Sequence, residues 1–407
     1  MPLDTLGMTS IHDGPTAAQG FRAAGAAGGI RYEGRPDVGI LLCDGPASAG
    51  AVFTQNRFAA APVIVDRETL RKSGGVARAV VVNAGNANAC TGDGGLLDAR
   101  EMATLTTEAL GLGAGEVLVA STGVVGDALP MDAVRRGIGG AVEELERGGN
   151  SEFPSAILTT DTVRKEYALE FDVGGETVRI GGCCKGAGMI SPNMATMLAF
   201  VTTDAGIAPS ILETTLRTAV GRTFNCISID GDQSTNDTVF ALASGRAATI
   251  TTEHDLAVFG LALESVCREL ALQIVRDGEG TTRVIEVRVR GAKDDADARL
   301  AARAIGESLL VKTAVYGNDP NWGRVLVALG YSGADFDPGR VAMWIEDLQV
   351  VRGGIRADYA EGDAETRLRD ASPVRLTVGL DVGDADATFW SSDLTEAYVR
   401  ENSVYRT

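Results

Sequence analysis

Between Lys185 and Phe200 the chain reads KGAGMISPNMATMLAF. A lysine, a Gly-Ala-Gly stretch and a proline lead into Ala195-Thr196, where an apolar run opens. Two readings fit these residues. In the first, a glycine loop turns into a strand, because threonine is common at strand starts. In the second, the Thr196 hydroxyl attacks the Ala195 carbonyl and the resulting ester hydrolyses. Thr196 then becomes an N-terminal residue with a hydroxyl and a free α-amine. Such an amine has an unperturbed pKa of about 7.7–8.0, close to what a general base needs at neutral pH. It can activate the hydroxyl of its own residue.

The histidine count bears on this choice. Only two are present, His12 in a Gly/Pro-punctuated N-terminal segment and His254 in TTEHDL at a helix start. Neither lies near a nucleophile motif, so a Ser-His or Cys-His mechanism has little to draw on. Six cysteines occur, none in a CxxC pair, so no zinc site is expected. Adjacent Cys183 and Cys184 read as strand residues facing opposite ways, and all six thiols are expected to be reduced.

Other stretches carry chemical residue types but also have plain structural readings. GLGAG at 111–115 follows a helix and reads as its C-terminal turn, not a dinucleotide loop. GGCCKGAG at 181–188 has its glycines and lysine in the wrong order for a phosphate loop. GNANACTG at 85–92 and GNDPNWGR at 317–324 are loops dense in Asn, Gly and Asp, scaffold or site with equal weight. ASTGVVG at 120–126 could offer a hydroxyl and a backbone N–H to an oxyanion. Without context it reads as a helix start. In DGEGTTR at 277–283, Glu279 sits between two glycines after a helix stop.

Strands and helices must position these residues. Strands are predicted at 38–44, 50–54, 77–83, 116–122, 167–173, 176–182, 196–202, 226–230, 283–291, 341–347 and 374–383. RVIEVRVRG at 283–291 alternates as a strand with one solvated face does. The clearest helix runs over 253–274, where Leu256, Phe259, Leu263, Val266, Leu270 and Ile274 form one apolar stripe. Thr252 with Asp255 resembles a capping box, and Arg276-Asp277-Gly278 is a stop. Further helices are expected at 97–110, 131–147, 208–220 and 295–308. The mixture reads as α/β or α+β.

The chain has 407 residues and a formal charge of -18. Such a surface repels phosphate backbones, which argues against nucleic-acid partners and anionic membranes. No apolar run reaches membrane-spanning length. The N-terminus has neither a basic start nor an apolar h-region, so a cytoplasmic protein without a secretion signal is expected.

KGAGMISPNMATML strongly resembles the processing site of the ornithine acetyltransferase family, also called the ArgJ family. The resemblance extends through GFRAAGAAGGI, AVFTQNRFAAAPV, VNAGNANACTG, ASTGVVG, TTDTVRK, TFNCISIDGDQSTNDTV, DGEGTTR, VKTAVYGNDPNWGR and DLTEAYVRENSVYRT, in that order. It implies a cut between Ala195 and Thr196 into an α chain, 1–195, and a β chain, 196–407. It implies ping-pong transfer of acetyl from N2-acetyl-L-ornithine to L-glutamate through acetyl-Thr196, in arginine biosynthesis. Some members also take acetyl from acetyl-CoA. By the same resemblance Thr122 and Gly123 would stabilise the oxyanion, and Thr162, Lys185, Thr196, Glu279, Asn402 and Thr407 would contact substrate. No cofactor and no metal are implied. The implied fold is a four-layer αββα sandwich, DmpA/ArgJ-like, with processed chains pairing as (αβ)2.

Those roles make physical sense. Lys185 is a point cation suited to a carboxylate, and Glu279 could pair with the distal ammonium. Ala187, Ser191, Arg164 and Ser403 depart from the family pattern without removing an assigned group. Two other readings remain. One is an N-terminal-threonine aminopeptidase-like hydrolase, in which water takes the acyl group. The other is an unprocessed, non-enzymatic ligand-binding protein.

Overall fold

The computed structural model of the protein describes residues 7–191 and 197–404. In chain order the first elements are β1 (Thr9–Ile11), β2 (Phe21–Ala26), β3 (Val38–Phe53), α1 (Ala61–Ser73), β4 (Val76–Asn86) and α2 (Gly92–Leu110). Next come β5 (Val117–Val124), α3 (Met131–Glu146), α4 (Phe153–Ala156), β6 (Lys165–Val173), β7 (Glu176–Lys185), β8 (Leu198–Thr203) and α5 (Pro209–Arg222). Then follow β9 (Ile227–Ser228), β10 (Thr238–Ala243), α6 (Glu253–Arg276), β11 (Val284–Ala292), α7 (Asp295–Glu307), α8 (Leu309–Tyr316) and α9 (Trp322–Gly330). The last are β12 (Ala342–Ile345), β13 (Leu348–Arg352), β14 (Ile355–Arg356), α10 (Glu361–Asp370), β15 (Val374–Gly379), β16 (Ala385–Ser392) and α11 (Glu396–Val404). The chain divides into two compact units. Of the described residues, the first holds those up to Asn225 together with Asp232–Ile274, and the second holds Cys226–Gly231 and those from Val275 to Val404. Each unit has its own sheet, so the protein is of the expected mixed α/β class with two sheets.

The first unit's sheet runs β1-β6-β7-β8-β10-β3-β4-β5, with β2 also paired to β3. β8–β10 and β4–β5 are parallel, and the other pairs are antiparallel. The near-continuous apolar runs of β3, β4 and β5 follow from burial on both faces. On one face Leu41, Val80, Val82 and Leu118 share a core with Phe153, Phe200 and Phe240. Ile40, Val81 and Val119 face the other way, onto Val65 of α1, Met102 of α2 and Val134 and Ile138 of α3. Phe153 meets Phe200 edge-to-face at 5.2 Å between centroids. Truncating either fully buried ring would cost about 3–5 kcal/mol.

Sequence patterning divides β3 into two strands, whereas the structure holds one of 16 residues. Asp44-Gly45-Pro46 looks like a turn, but it forms an irregularity between Leu42 and Ala47 in the pairing with β4. On the opposite edge β2 takes the first half of β3 and β10 the second. That pairing on both edges keeps the two halves in line.

The long helix α6 is as predicted. Phe259, Leu263, Val266, Leu270 and Ile274 are fully buried. The capping box closes reciprocally, Thr252 N–H to Asp255 Oδ2 and Asp255 N–H to Thr252 Oγ1, both at 3.1 Å. Among the described residues no helix is long and apolar enough to cross a membrane.

The second unit's sheet runs β14-β13-β12-β15-β11-β16-β9. The alternation in β11 holds on one face, where Ile285, Val287 and Val289 are buried against Ala298, Ala301 and Ile305 of α7. The other face is not fully solvated, because Glu286 is buried, Arg288 is half-buried and only Arg290 is exposed. α8 and α9 are absent from the expected elements, although each carries a cap. The Ser308 hydroxyl accepts from Val311 N–H, and the Asn321 side chain accepts from Arg324 N–H. Asn321 and Asn318, whose Oδ1 takes Arg283 Nη1 at 2.5 Å, make GNDPNWGR a scaffold loop.

Candidate active site

Lys185 ends β7 and pairs across the ladder with Leu198, the first residue of β8. The site is built at this end of the first unit's sheet. Ala195, Thr196 and Thr407 lie outside the described residues. The chain emerges from the proposed cleavage point at Met197, which is buried and clamped. Met197 N–H donates to Asp237 Oδ1 at 2.6 Å, and Met197 O accepts from Thr238 N–H at 3.1 Å.

Lys185 is 4% exposed, and its ammonium lies 3.9 Å from Asp161 Oδ2. The Asp161 carboxyl is completely buried. Its Oδ1 takes Lys165 Nζ at 2.7 Å and Gly186 N–H at 2.6 Å, and its Oδ2 takes Thr159 N–H at 3.1 Å. Burial alone would raise this carboxyl. The attraction of Lys185 and Lys165, with the hydrogen bonds of Lys165 and Gly186, holds it below the ordinary carboxylate range. Asp161 therefore stays ionised between two buried cations and fixes where Lys185 sits. Thr162, its neighbour, is exposed.

Thr122 and Gly123 lie inside β5, so the helix-start reading of this corner is wrong. The strand continues because Asn86 pairs with both Thr122 and Val124, bending the ladder there. Gly123 has φ +130°. A Cβ on it would run into the carbonyl carbon of Gly85, so only glycine lets the two strands close up. Thr122 is 7% exposed. Neighbouring asparagines brace the corner. Ser121 Oγ donates to Asn83 Oδ1 at 2.6 Å, and Asn83 Nδ2 donates to Asn86 O at 2.9 Å. GNANACTG thus serves as scaffold for this corner.

One dipeptide ties the corner to Met197. Asn236 Nδ2 donates to Ala87 O at 2.5 Å and to Ser121 O at 2.8 Å. Asp237, the next residue, holds the Met197 amide. Burial pushes the Asp237 carboxyl well above its ordinary range, and the Met197 N–H and Lys185 offset that only in part.

Asp161, Asn236 and Asp237 were not singled out by the sequence reading. They stand inside TTDTVRK and SIDGDQSTNDTV, but their partners are distant in the chain. The thiols nearby offer no nucleophile. Burial pushes Cys183 and Cys184 far up and Cys267 up to about 12. None of the six cysteines forms a disulfide. No group of three His, Cys, Asp or Glu among the described residues could hold a metal ion.

In the second unit two more of the expected residues come together. Asn402 Nδ2 donates to Glu279 Oε2 at 2.8 Å. The Glu279 loop is fixed by Thr395 Oγ1 to Gly280 O, at 2.8 Å, and by Asp393 Oδ1, which accepts the Thr282 and Arg283 amides. All four departures also have a visible place. Arg164 Nη2 reaches both oxygens of Glu152 at 2.9 Å, Ala187 is buried, and Ser403 Oγ donates to Arg400 O. Ser191 is buried beside the cleavage segment.

A sequence profile described as the ArgJ family matches residues 22–407. The chain is 50% identical over 405 residues to the arginine biosynthesis bifunctional protein ArgJ of Symbiobacterium thermophilum, covering 98% of this chain and 100% of that protein. It is 47% identical over 395 residues to the protein of the same name from Geobacter sulfurreducens, covering 96% and 99%. A crystal structure of the arginine biosynthesis bifunctional protein argJ from Bacillus halodurans aligns at 44% identity and TM-score 0.49, over 51% of this chain and 98% of that one.

Proposed function

Since this chain belongs to the ArgJ family, we propose that it is an ornithine acetyltransferase of arginine biosynthesis, moving acetyl from N2-acetyl-L-ornithine to L-glutamate. The observation that carries the reading is the Asn236-Asp237 dipeptide. It binds the carbonyl just before Thr122 with one side chain and the amide just after Thr196 with the next. An oxyanion donor and a nucleophile are the two parts that acyl transfer needs at fixed separation.

In this mechanism the chain first cuts itself between Ala195 and Thr196. The cut falls in the connection between β7 and β8, whose pairing from Ile180↔Thr203 to Lys185↔Leu198 does not depend on it. β8 and β10 belong to the β chain and lie between β7 and β3 of the α chain, so the two chains stay interlocked. The Thr196 hydroxyl then attacks the acetyl carbonyl of the donor, and its freed α-amine accepts the hydroxyl proton. Thr122 and Gly123 stabilise the oxyanion. The amine returns the proton to the leaving ornithine nitrogen. Glutamate enters and reverses the sequence.

Lys185, held by Asp161, takes the α-carboxylate. Glu279, with Asn402 on its Oε2, takes the distal ammonium, and Thr162 and Thr407 complete the substrate contacts. The reaction runs in the cytoplasm without cofactor or metal. The mature protein is an (αβ)2 heterotetramer, and acetyl-CoA serves as a second acetyl donor. The test is deacylation of the acetyl-enzyme with and without glutamate. Release that depends on glutamate supports transfer, and equal release into water means a hydrolase.

A further inference from the structure

β4 pairs with β3 only as far as Ser48↔Val76. The last contact on that edge is Ala49 N–H to Gly75 O at 2.8 Å. From Gly50 to Phe53 the strand keeps β10 on one edge, and among the described residues no strand takes the other. That open edge floors a cleft of about 630 Å³, within the roughly 300–1,000 Å³ that hold small ligands. α1 forms one wall and α5 the other. Gly75 packs so closely on Pro209 that a Cβ added to it would lie 2.7 Å from the Pro209 Cβ, which closes one end. Gln55 lies at the other end. That end borders the proposed active site, because Thr54 N–H donates to Asp237 O at 2.9 Å.

The walls are cationic. Acids outnumber bases 55 to 37 in the chain, yet this cleft is lined by Arg67, Arg71 and Arg217 against a single carboxylate, Glu213. Glu213 is matched by Arg217 at 2.8 Å. Arg67 gives one N–H to Thr54 O at 2.7 Å, and its guanidinium carbon lies 5.5 Å from the centroid of the Phe53 ring. Arg71 is exposed and has no hydrogen-bond or ion-pair partner among the described residues. Two guanidiniums therefore face the cleft without a carboxylate. They stand one turn apart on α1, with about 5–6 Å between Cβ atoms. Both planar forks can reach one ligand carrying two adjacent phosphoryl groups.

We propose that this cleft binds an organic pyrophosphate, the group shared by coenzyme A and a nucleoside diphosphate. Arg67 and Arg71 take its two phosphoryl groups through paired N–H donors. The open edge of β3 offers peptide groups to the amides of an arm that runs on from the phosphates. None of these residues belongs to the proposed transfer site, so the two readings stand or fall separately.

The test is calorimetric titration of the purified protein with coenzyme A and with ADP, repeated on Arg71→Ala. At least one ligand should bind wild type, be displaced by inorganic pyrophosphate, and bind about tenfold or more weakly to the variant. An unchanged urea midpoint shows that the variant is folded. Should the midpoint fall, Arg71→Gln, which keeps the stem and loses the charge, carries the same test. Coenzyme A binding tighter than ADP assigns the coenzyme, with its arm along β3. Equal or tighter ADP assigns a nucleotide. No binding of either ligand, or binding that the Arg71 variants leave unchanged, overturns the proposal.

Discussion

Asn236 donates through Nδ2 to the backbone oxygen of Ser121 at 2.8 Å, across 115 residues of chain. That bond fixes the strand carbonyl immediately before Thr122, and Ala87 O is held by the same amide group. An oxyanion donor works only if it is already aimed when charge develops. The asparagine network around β4 and β5 supplies that rigidity from buried side chains that are hydrogen-bonded to one another and to backbone.

Thr122→Val keeps the branched shape of the strand residue and removes its hydroxyl. Under the proposed role of Thr122 as oxyanion donor, kcat should fall about 10²–10³-fold, or about 2.7–4 kcal/mol, with little change in KM. Steady-state kinetics on the cleaved variant checks this. A raised KM with kcat intact would mean that the hydroxyl binds the ground state instead.

Asp161→Ala would remove the buried carboxylate that faces both Lys165 and Lys185. Breaking a buried pair in this way costs about 3–5 kcal/mol. Urea unfolding at neutral pH should show that loss. Because the Asp161 carboxyl is held below its ordinary range, its contribution is present above the unfolded value of about 3.9. It is lost as pH falls through the lower folded value. The gap between wild type and variant should therefore close in acid. A gap that persists unchanged at low pH would rule out this electrostatic origin.

Lys312 in α8 is 2% exposed and donates to Ile229 O. Burial pushes its ammonium down to about 8 against the pull of Asp230, Asp393 and Glu307. In the unfolded chain a lysine keeps its proton to about 10.4. Between those values the unfolded state binds more protons, so stability rises with pH there. Below about 8 both states are protonated and the term is constant. Unfolding at pH 7, 8 and 9 should show wild type gaining on Lys312→Met only over the upper interval, by up to about 1.4 kcal/mol per pH unit. Parallel curves would refute it.

Much of this was legible from local pattern. The stripe and cap of α6 and the apolar face of β11 need only neighbours three, four or two residues apart, and they hold. The expected solvated face of β11 does not, because Glu286 is buried. β3 was misdivided because Asp44-Gly45-Pro46 carries turn residues, and only strands β2, β10 and β4 show that the chain goes straight on. Lys185, Thr122 and Gly123 are named only through the resemblance carried by long ordered motifs, and their roles are those of the proposed function. Asp161, Asn236 and Asp237 were not legible, because their roles lie in contacts. Asp161 reaches Gly186 across 25 residues and Asp237 reaches Met197 across 40. No spacing rule links an asparagine at 236 to a carbonyl at 121.

The central claim is that the chain cuts itself to make its nucleophile. The most direct measurement is the intact mass of the purified native protein, with N-terminal sequencing of each chain. The account predicts two chains of similar size, one beginning Thr196-Met197-Leu198. A single chain that stays uncut on incubation would contradict it, because Thr196 would then have no free amine and the proposed site no base.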